Sequence, residues 1–307
     1  AARGLHDLIE QIRADYGDPR MTVDVLAHSN GGLVARYYAR YGLADLPESG
    51  PFVPTGAGVK SIRRLLLVGT PNLGTMRPVL SLLRGEQMGL RKMPPDVIAT
   101  WASGAQMMPH PALPWLLDVF GRPLEYDLFD IGTWRSLGWS VFDPEIAGRA
   151  VTRHGGGAEG HRHYGLLCEY LAKHLERGRR FMESLTVSAP GLEPQTSVFG
   201  GDCELTLARM VAERVEGKLL ARDRIADIAV PAPGIDYEAL MFEPGDTVVT
   251  RSSLLGRSTL NVAAPRVGIE SLRVAHSVFL CEQHQQLTSN LSFQDNLLNA
   301  LLSVDAT

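Results

Sequence analysis

Long apolar runs are missing from this 307-residue chain. None reaches the ~18 residues that a membrane-spanning helix requires. Charge of one sign is scarce as well. Lys and Arg number 30 against 34 Asp and Glu, a formal net charge of -4, and no block of like charges stands out. Neither nucleic acid nor an anionic membrane is therefore called for as a partner. Cysteine is almost absent: Cys168, Cys203 and Cys281 are widely spaced and odd in number, which argues against a disulfide framework and reads as small buried apolar residues. No Gly-rich run opens a helix with a Lys-Ser or Lys-Thr pair, which excludes a phosphate cradle. The front of the chain, Ala1-Ala2-Arg3, has neither an initiator Met nor a signal segment and runs straight into a helical pattern. The expectation is a fragment, with further strands and any targeting signal upstream; the compartment stays open, the cytoplasm slightly favoured.

What is present is globular. Hydrophobic residues make up 45% and charged residues 21%, and the length allows one large α/β domain or two ordinary ones. Leu5, Leu8, Ile9 and Ile12 recur at helical spacing and Gly17-Asp18-Pro19 supplies a stop, predicting a helix over 3–16. A short β-branched run over 21–27 precedes a second helical stripe, Leu33, Val34, Tyr37, Tyr38 and Tyr41, and a buried strand is expected over 62–68. Helices alternating with continuous apolar strands imply a parallel sheet covered on both faces. The alternation lapses from 76 to 190, in a segment rich in Pro, Met and Trp that ends in a helix over 163–185. This is the expected cap. Strands are expected again at 196–199 and 272–280, with a hairpin over 208–230 and a turn at 243–246 between them, and a closing helix over 292–302. The core is thus expected over 1–75 and 191–307.

The order strand, sharp turn, helix around Ala27-His28-Ser29-Asn30-Gly31-Gly32 carries the chemistry. A serine hydroxyl needs a base to take its proton and fixed donors to meet the developing oxyanion. An elbow between strand and helix offers both, because it projects the side chain and aims backbone N–H groups and the helix N-terminus at the reacting centre. Ala27 and Gly31 are the small residues two before and two after Ser29. The bare pattern occurs by chance about 0.4 times in a chain of this composition, so its placement between a strand and a helix decides. The bland alternative is a Ser29 that merely caps the helix.

Val25-Leu26-Ala27-His28-Ser29-Asn30-Gly31-Gly32-Leu33-Val34 resembles the nucleophile elbow of bacterial lipases and of lecithin:cholesterol acyltransferase-like hydrolases. Gly69-Thr70-Pro71-Asn72-Leu73-Gly74 is similar to the loop those families carry after the next strand. Gly245-Asp246-Thr247-Val248 resembles their Gly-Asp-Gly-Thr-Val segment, which holds the acid, with one Gly missing. His284-Gln285-Gln286-Leu287 resembles the terminal His-x-x-Leu that carries the base. Tyr126-Asp127-Leu128-Phe129-Asp130, with Trp134 and Gly138-Trp139, is more loosely similar to the acyltransferase-like branch. The resemblance implies an α/β-hydrolase fold with a mostly parallel sheet, helices on both faces and an inserted helical cap.

From chemistry alone the acid follows a late strand and the base lies near the C-terminus, in the order Ser, Asp, His. Asp246 and Asp202 both qualify as acid; Asp246 is preferred for its Thr-Val context and its nearness to the base. Among nine histidines, His284 lies just beyond a predicted strand, whereas the rival His276 sits inside it as a core or sheet-face residue. The backbone N–H of Asn30 is the expected first oxyanion donor, and the second is expected upstream of residue 1. Met107, Met108 and Trp115 belong to the most apolar part of the cap, readable as cap core or as the wall of an acyl pocket. His154, His161 and His163 with Glu159 could be imagined around a metal, but their spacing reads better as a solvated flexible loop.

The expectation is therefore a serine hydrolase cleaving carboxylic, lipid or acyl esters through an acyl-enzyme, with acyltransferase activity if an alcohol replaces water. It needs no cofactor and no metal. Its partners are a small-molecule or lipid ester and a transient lipid surface, with no partner protein. A thioesterase or amidase on the same fold, and a non-catalytic binding protein retaining the elbow, are the alternatives.

Overall fold

The computed structural model describes residues 1–257 and 272–303; the remainder of the expected core lies outside them. Helix α1 (Ala2–Tyr16) is closed by Gly17, whose φ of 66° lets its N–H reach back to Ala14. Strand β1 (Val23–His28), helix α2 (Asn30–Tyr41) and strand β2 (Ile62–Val68) follow. The segment beyond holds α3 (Arg77–Arg84), a hairpin of β3 (Glu86–Met88) and β4 (Arg91–Met93), α4 (Pro95–Ile98), α5 (Ala102–Ala105) and β5 (Leu116–Asp118). It continues through α6 (Ile131–Leu137) and α7 (Pro144–Arg153) to α8 (Gly157–Ser184). The rest comprises β6 (Gln195–Gly201), β7 (Glu204–Leu207), β8 (Met210–Val215), β9 (Lys218–Arg222), α9 (Tyr237–Met241), β10 (Phe242–Gly245), α10 (Arg251–Leu255), β11 (His276–Leu280) and α11 (Leu291–Leu302).

Four strands form one parallel sheet in the order β1-β2-β6-β11. The two-residue period of a strand divides their side chains. Leu65, Leu67, Val198, Val25 and Ala27 pack with Ile9 of α1 and with Ala35, Tyr38 and Ala39 of α2. Leu66, Val68 and Phe199 point the other way, onto Leu287 and onto Phe293 of α11. Burial on both faces is why the second half of β2, Leu65 to Val68, reads as a continuous apolar run rather than an alternating one. On β1 one face stays open: Leu26 is 48% exposed.

Three expectations change. The segment 76–190, expected to form a cap, does not pack by itself, because β5 pairs in parallel with β8 and β8 pairs with β9. Met210 and Ala212 therefore join Trp115, Leu116 and Trp134 in the same core. A pairing between strands ~90 residues apart leaves no trace in local periodicity. Residues 243–245, expected in a turn, form β10 antiparallel to β7, and the turn begins at Asp246. Finally, the glycines before His161 open α8 rather than a flexible loop. Gly160 sits where a Cβ would fall 2.3 Å from the Val151 carbonyl oxygen, so glycine there lets α8 lie directly on α7. Among the described residues no cluster fit to hold a metal forms around these histidines; His154 and His163 stack with ring centroids 4.6 Å apart.

Buried polar groups fix the cap. Asp96 of α4, 4% exposed, pairs with Arg149 and Arg153 of α7. His110 is 6% exposed. Its Nε2 lies 3.0 Å from Thr186 Oγ1, and its Nδ1 accepts the N–H of Ala112 at 3.2 Å. Because Thr186 already donates to the Glu183 carbonyl, it accepts from His110, which fixes the neutral Nε2–H tautomer. Burial pushes the His110 pKa down to about 4. The neutral form is the native one, so its contribution is complete above the unfolded value near 6.5 and is lost as pH falls from there toward 4. The wild type is expected to lose about 3 kcal/mol more than His110→Gln between pH 7 and pH 4, measured by urea unfolding at each pH; parallel pH dependences would contradict this.

Candidate active site

All the groups singled out in the elbow, acid and base segments lie at the C-terminal edge of the parallel sheet. Ser29 follows β1 directly with φ 54° and ψ −128°. A side chain rarely occupies that region, and the strain costs about 1–3 kcal/mol. Two backbone bonds hold it there: Ser29 N–H donates to Val68 on the adjacent strand at 2.8 Å, and Gly32 N–H donates to Ser29 at 3.0 Å. Of the two glycines after the serine, Gly32 is the one with no room to spare. A Cβ on it would lie 2.1 Å from Thr70 Oγ1, whereas one on Gly31 would meet Ala27 at an ordinary 3.9 Å.

His284 lies four residues past β11, and its Nε2 is 3.1 Å from Ser29 Oγ. Its Nδ1 is 2.8 Å from Asp246 Oδ2, in a pair whose side chains are 4% and 1% exposed. The backbone repeats the link, since His284 N–H donates to the Asp246 carbonyl at 2.9 Å. The other carboxylate oxygen of Asp246 accepts from Val248 N–H at 3.0 Å and from Val249 N–H at 2.7 Å. Both oxygens of this buried carboxylate thus face a donor.

The rivals lie elsewhere. Asp202 follows β6 as expected but is partly exposed, 3.5 Å from an Arg251 guanidinium nitrogen, and makes no bond to His284. His276 is the exposed first residue of β11, at the opposite end of the strand from the His284 loop. Asn30 opens α2, where a first-turn N–H has no intrahelical acceptor. Met107 borders a cavity of about 360 Å³ that reaches Ser29 and His284. Pro71, Pro78, Ile98, Trp101, Val248 and Val249 supply the rest of its apolar wall, with Arg77, Ser81 and Glu86 among its polar groups. Met108 and Trp115 do not border it. Met108 is fully buried and Trp115 is 5% exposed in the cap core, its indole N–H held by the Tyr126 carbonyl at 2.6 Å.

Several residues that shape the site were not singled out from sequence. Gly69, after β2 with φ 52°, faces the imidazole: a Cβ there would lie 2.9 Å from both Cε1 and Nδ1 of His284 and 3.1 Å from Asp246 Oδ2. The similarity of the 69–74 loop to its family counterpart pointed to this segment without giving the reason. Thr247, directly after the acid, has φ 77° and borders the cavity. His28 places its Nε2 3.2 Å from the His284 carbonyl, with the two rings 4.8 Å apart. Burial first, and the neighbouring His284 second, lower its pKa.

The expectation that the cysteines are isolated and buried is overturned. Cys203 and Cys281 are exposed and form a disulfide across 78 residues of sequence, with Cα atoms 5.0 Å apart; Cys168 is free and half-buried. β6 and β11 are adjacent parallel strands, so residues just past their ends meet whatever their separation in sequence. Parity of the cysteine count cannot reveal one pair and one free thiol. The bond ties the end of β6 to the loop that carries His284.

Fold and site together define an α/β protein with a buried Asp-His pair aligned on a serine at a strand-to-helix elbow. No family model and no curated protein matches the chain. Among solved structures, a chain of one described as "The crystal structure of Tle4-Tli4 complex" superposes with a TM-score of 0.52 at 13% identity, over 96% of this chain and 62% of its own length. The likeness is one of fold, and this chain spans less than two thirds of that neighbour.

Two substitutions test the local account. Gly69→Ala is expected to displace His284 and slow the reaction of Ser29 with a fluorophosphonate about 100-fold, followed by labelling kinetics; an unchanged rate would show that the loop yields without moving the ring. Thr247→Gly is expected to raise stability by about 1 kcal/mol by relieving the positive φ, read from the urea midpoint.

Proposed function

We propose that this chain is the core of an α/β-hydrolase of the bacterial lipase or lecithin:cholesterol acyltransferase-like branch, and that it cleaves carboxylic esters of acyl chains. The observation that carries the reading is the alignment Ser29 Oγ, His284 Nε2, His284 Nδ1, Asp246 Oδ2, at 3.1 and 2.8 Å. Ser29 Oγ attacks the ester carbonyl as its proton passes to His284 Nε2. Asp246 holds the ring in the required tautomer and stabilises the imidazolium. The N–H of Asn30 meets the oxyanion, the alcohol leaves with the proton from His284, and water repeats the sequence to release the acid. Another alcohol in place of water would make the outcome acyl transfer.

The apolar wall of the cavity and its volume suit an acyl chain, which favours lipid-like esters over small polar ones. The neighbouring structure is that of a complex, so it lends no support to the expectation of no partner protein. An exposed disulfide persists in an oxidising compartment, and we place the protein there rather than in the cytoplasm.

Fluorophosphonate labelling with peptide mapping tests the nucleophile, and a panel of matched ester, thioester and amide substrates tests the leaving group. Modification is expected only in the peptide containing Ser29, with esters turned over fastest. Ser29→Ala is expected to abolish turnover and Asp246→Asn to reduce it about 10⁴-fold. Labelling at any other residue would overturn the assignment. Preference for thioester or amide would move the activity to another class on the same site.

A further inference from the structure

In the proposed reaction the leaving alcohol has a fixed place. His284 Nε2 must return the serine's proton to the alcohol oxygen as that oxygen parts from the carbonyl carbon. The alcohol half of the substrate therefore lies against the residues that flank His284 at the border of the cavity. These are Gln283, Gln285 and Gln286. All three are exposed, and their side chains have no hydrogen-bond partner among the described residues. The backbone that presents them is held firmly. Gln286 N–H donates to the Gln283 carbonyl at 2.9 Å, His284 N–H donates to Asp246, and Leu287 is fully buried. The opposite wall differs in kind: Pro78, Ile98, Trp101 and Met107, all from one stretch of chain, are apolar. The other charged side chains at the border, Arg77 and Glu86, pair with each other, and Ser81 donates to the same carboxylate.

We infer that the alcohol half of the substrate is an uncharged sugar, recognised by Gln283, Gln285 and Gln286, with the acyl chain lying on the apolar wall. A glutamine amide carries two N–H donors and a carbonyl acceptor, and a hydroxyl likewise donates and accepts. Three such amides on one fixed loop match hydroxyls on successive carbons of a sugar ring. Charge selects in the same direction. A cationic or phosphorylated head group would leave water without a free opposite charge to meet it, because Arg77 and Glu86 already neutralise each other. Hydroxyls need no such partner. When the tetrahedral intermediate collapses, the bond from the carbonyl carbon to the sugar oxygen breaks and the proton on His284 Nε2 passes to that oxygen. The sugar leaves with its hydroxyl restored, the acyl group stays on Ser29 Oγ, and water then releases the fatty acid. The glutamines set which alcohol is held in line with Nε2. This names the substrate class of the proposed hydrolase and rests on that reading.

The full chain is assayed for kcat/KM on esters that share an octanoyl chain and differ in alcohol: glucose acylated at its primary hydroxyl, the hydroxyl-free counterpart cyclohexylmethyl octanoate, monooctanoylglycerol, octanoylcholine and octanoyl glycerophosphate. Each value is divided by the same ester's rate of alkaline hydrolysis, which removes the leaving group's own reactivity. The glucose ester is expected to exceed the cyclohexylmethyl ester at least ~10-fold and to be faster than each of the others. Gln285→Leu with Gln286→Leu is expected to lower the ratio of glucose to cyclohexylmethyl ester about 10-fold. Both rates come from one preparation, so the ratio is independent of how much of the variant is folded. A glucose ester no faster than any one of the others, or an unchanged ratio in the variant, would overturn the inference and leave the hydrolase reading in place. Turnover of none of these esters, with Ser29 unlabelled by a fluorophosphonate, would sink both.

Discussion

The hydrogen bond between Asp246 and His284 is the constraint around which the edge of the sheet is built. The two residues lie 38 positions apart, on segments that never pair as strands. Their side chains and backbones are nonetheless joined twice over. A buried carboxylate is tolerable only if its lone pairs are met, and the turn from Asp246 to Val249 meets them with two of its own N–H groups. The turn therefore stabilises the charge and fixes where it points. The imidazole can occupy its place because Gly69, on the neighbouring loop, has no side chain to contest it.

Strain gathers around this pair. Among the described residues four non-glycine residues have positive φ, and two of them, Ser29 and Thr247, border the cavity. Both are held by bonds to other segments: Ser29 N–H by the end of β2, and Thr247 N–H by Thr206 Oγ1 on β7 at 2.9 Å. Such conformations persist when the surroundings over-determine them. The parallel sheet does so for Ser29, and the β7–β10 pair does so for Thr247.

Much of this was legible in the chain. Helix α2 and strand β2 fall where periodicity set them, and β1 follows within two residues. Strand-turn-helix order located the elbow, the Thr-Val context and nearness to the base favoured Asp246, and a place just beyond a strand favoured His284. What escaped was long-range. Asp202 also follows a strand directly, yet its partly exposed side chain faces Arg251 while Asp246 crowds the end of β6, where a Cβ on Gly201 would come within 2.8 Å of Asp246 Cβ. The β5–β8 pairing and the Cys203–Cys281 bond are likewise set by which strand ends become neighbours. Pattern reading sees faces and periods but not adjacency. The positive φ of Thr247 escaped for a different reason, since a β-branched residue is the last one expected there.

His28 shows how an adjacency of this kind bears on chemistry. In the proposed reaction His284 becomes a cation, and a second charged imidazole 4.8 Å away would oppose it. Burial, with His284 itself as the next contribution, lowers the pKa of His28, so at neutral pH the neighbour is uncharged when the proton arrives. A neutral His28 still has one ring N–H to give. Donated from Nε2 to the His284 carbonyl, it pins the backbone of the base to the residue preceding the nucleophile. Serine and histidine, 255 positions apart, are thus held together by a contact that does not involve the reacting atoms, and the Ser29 to His284 distance is supported from the sheet side as well as by Asp246.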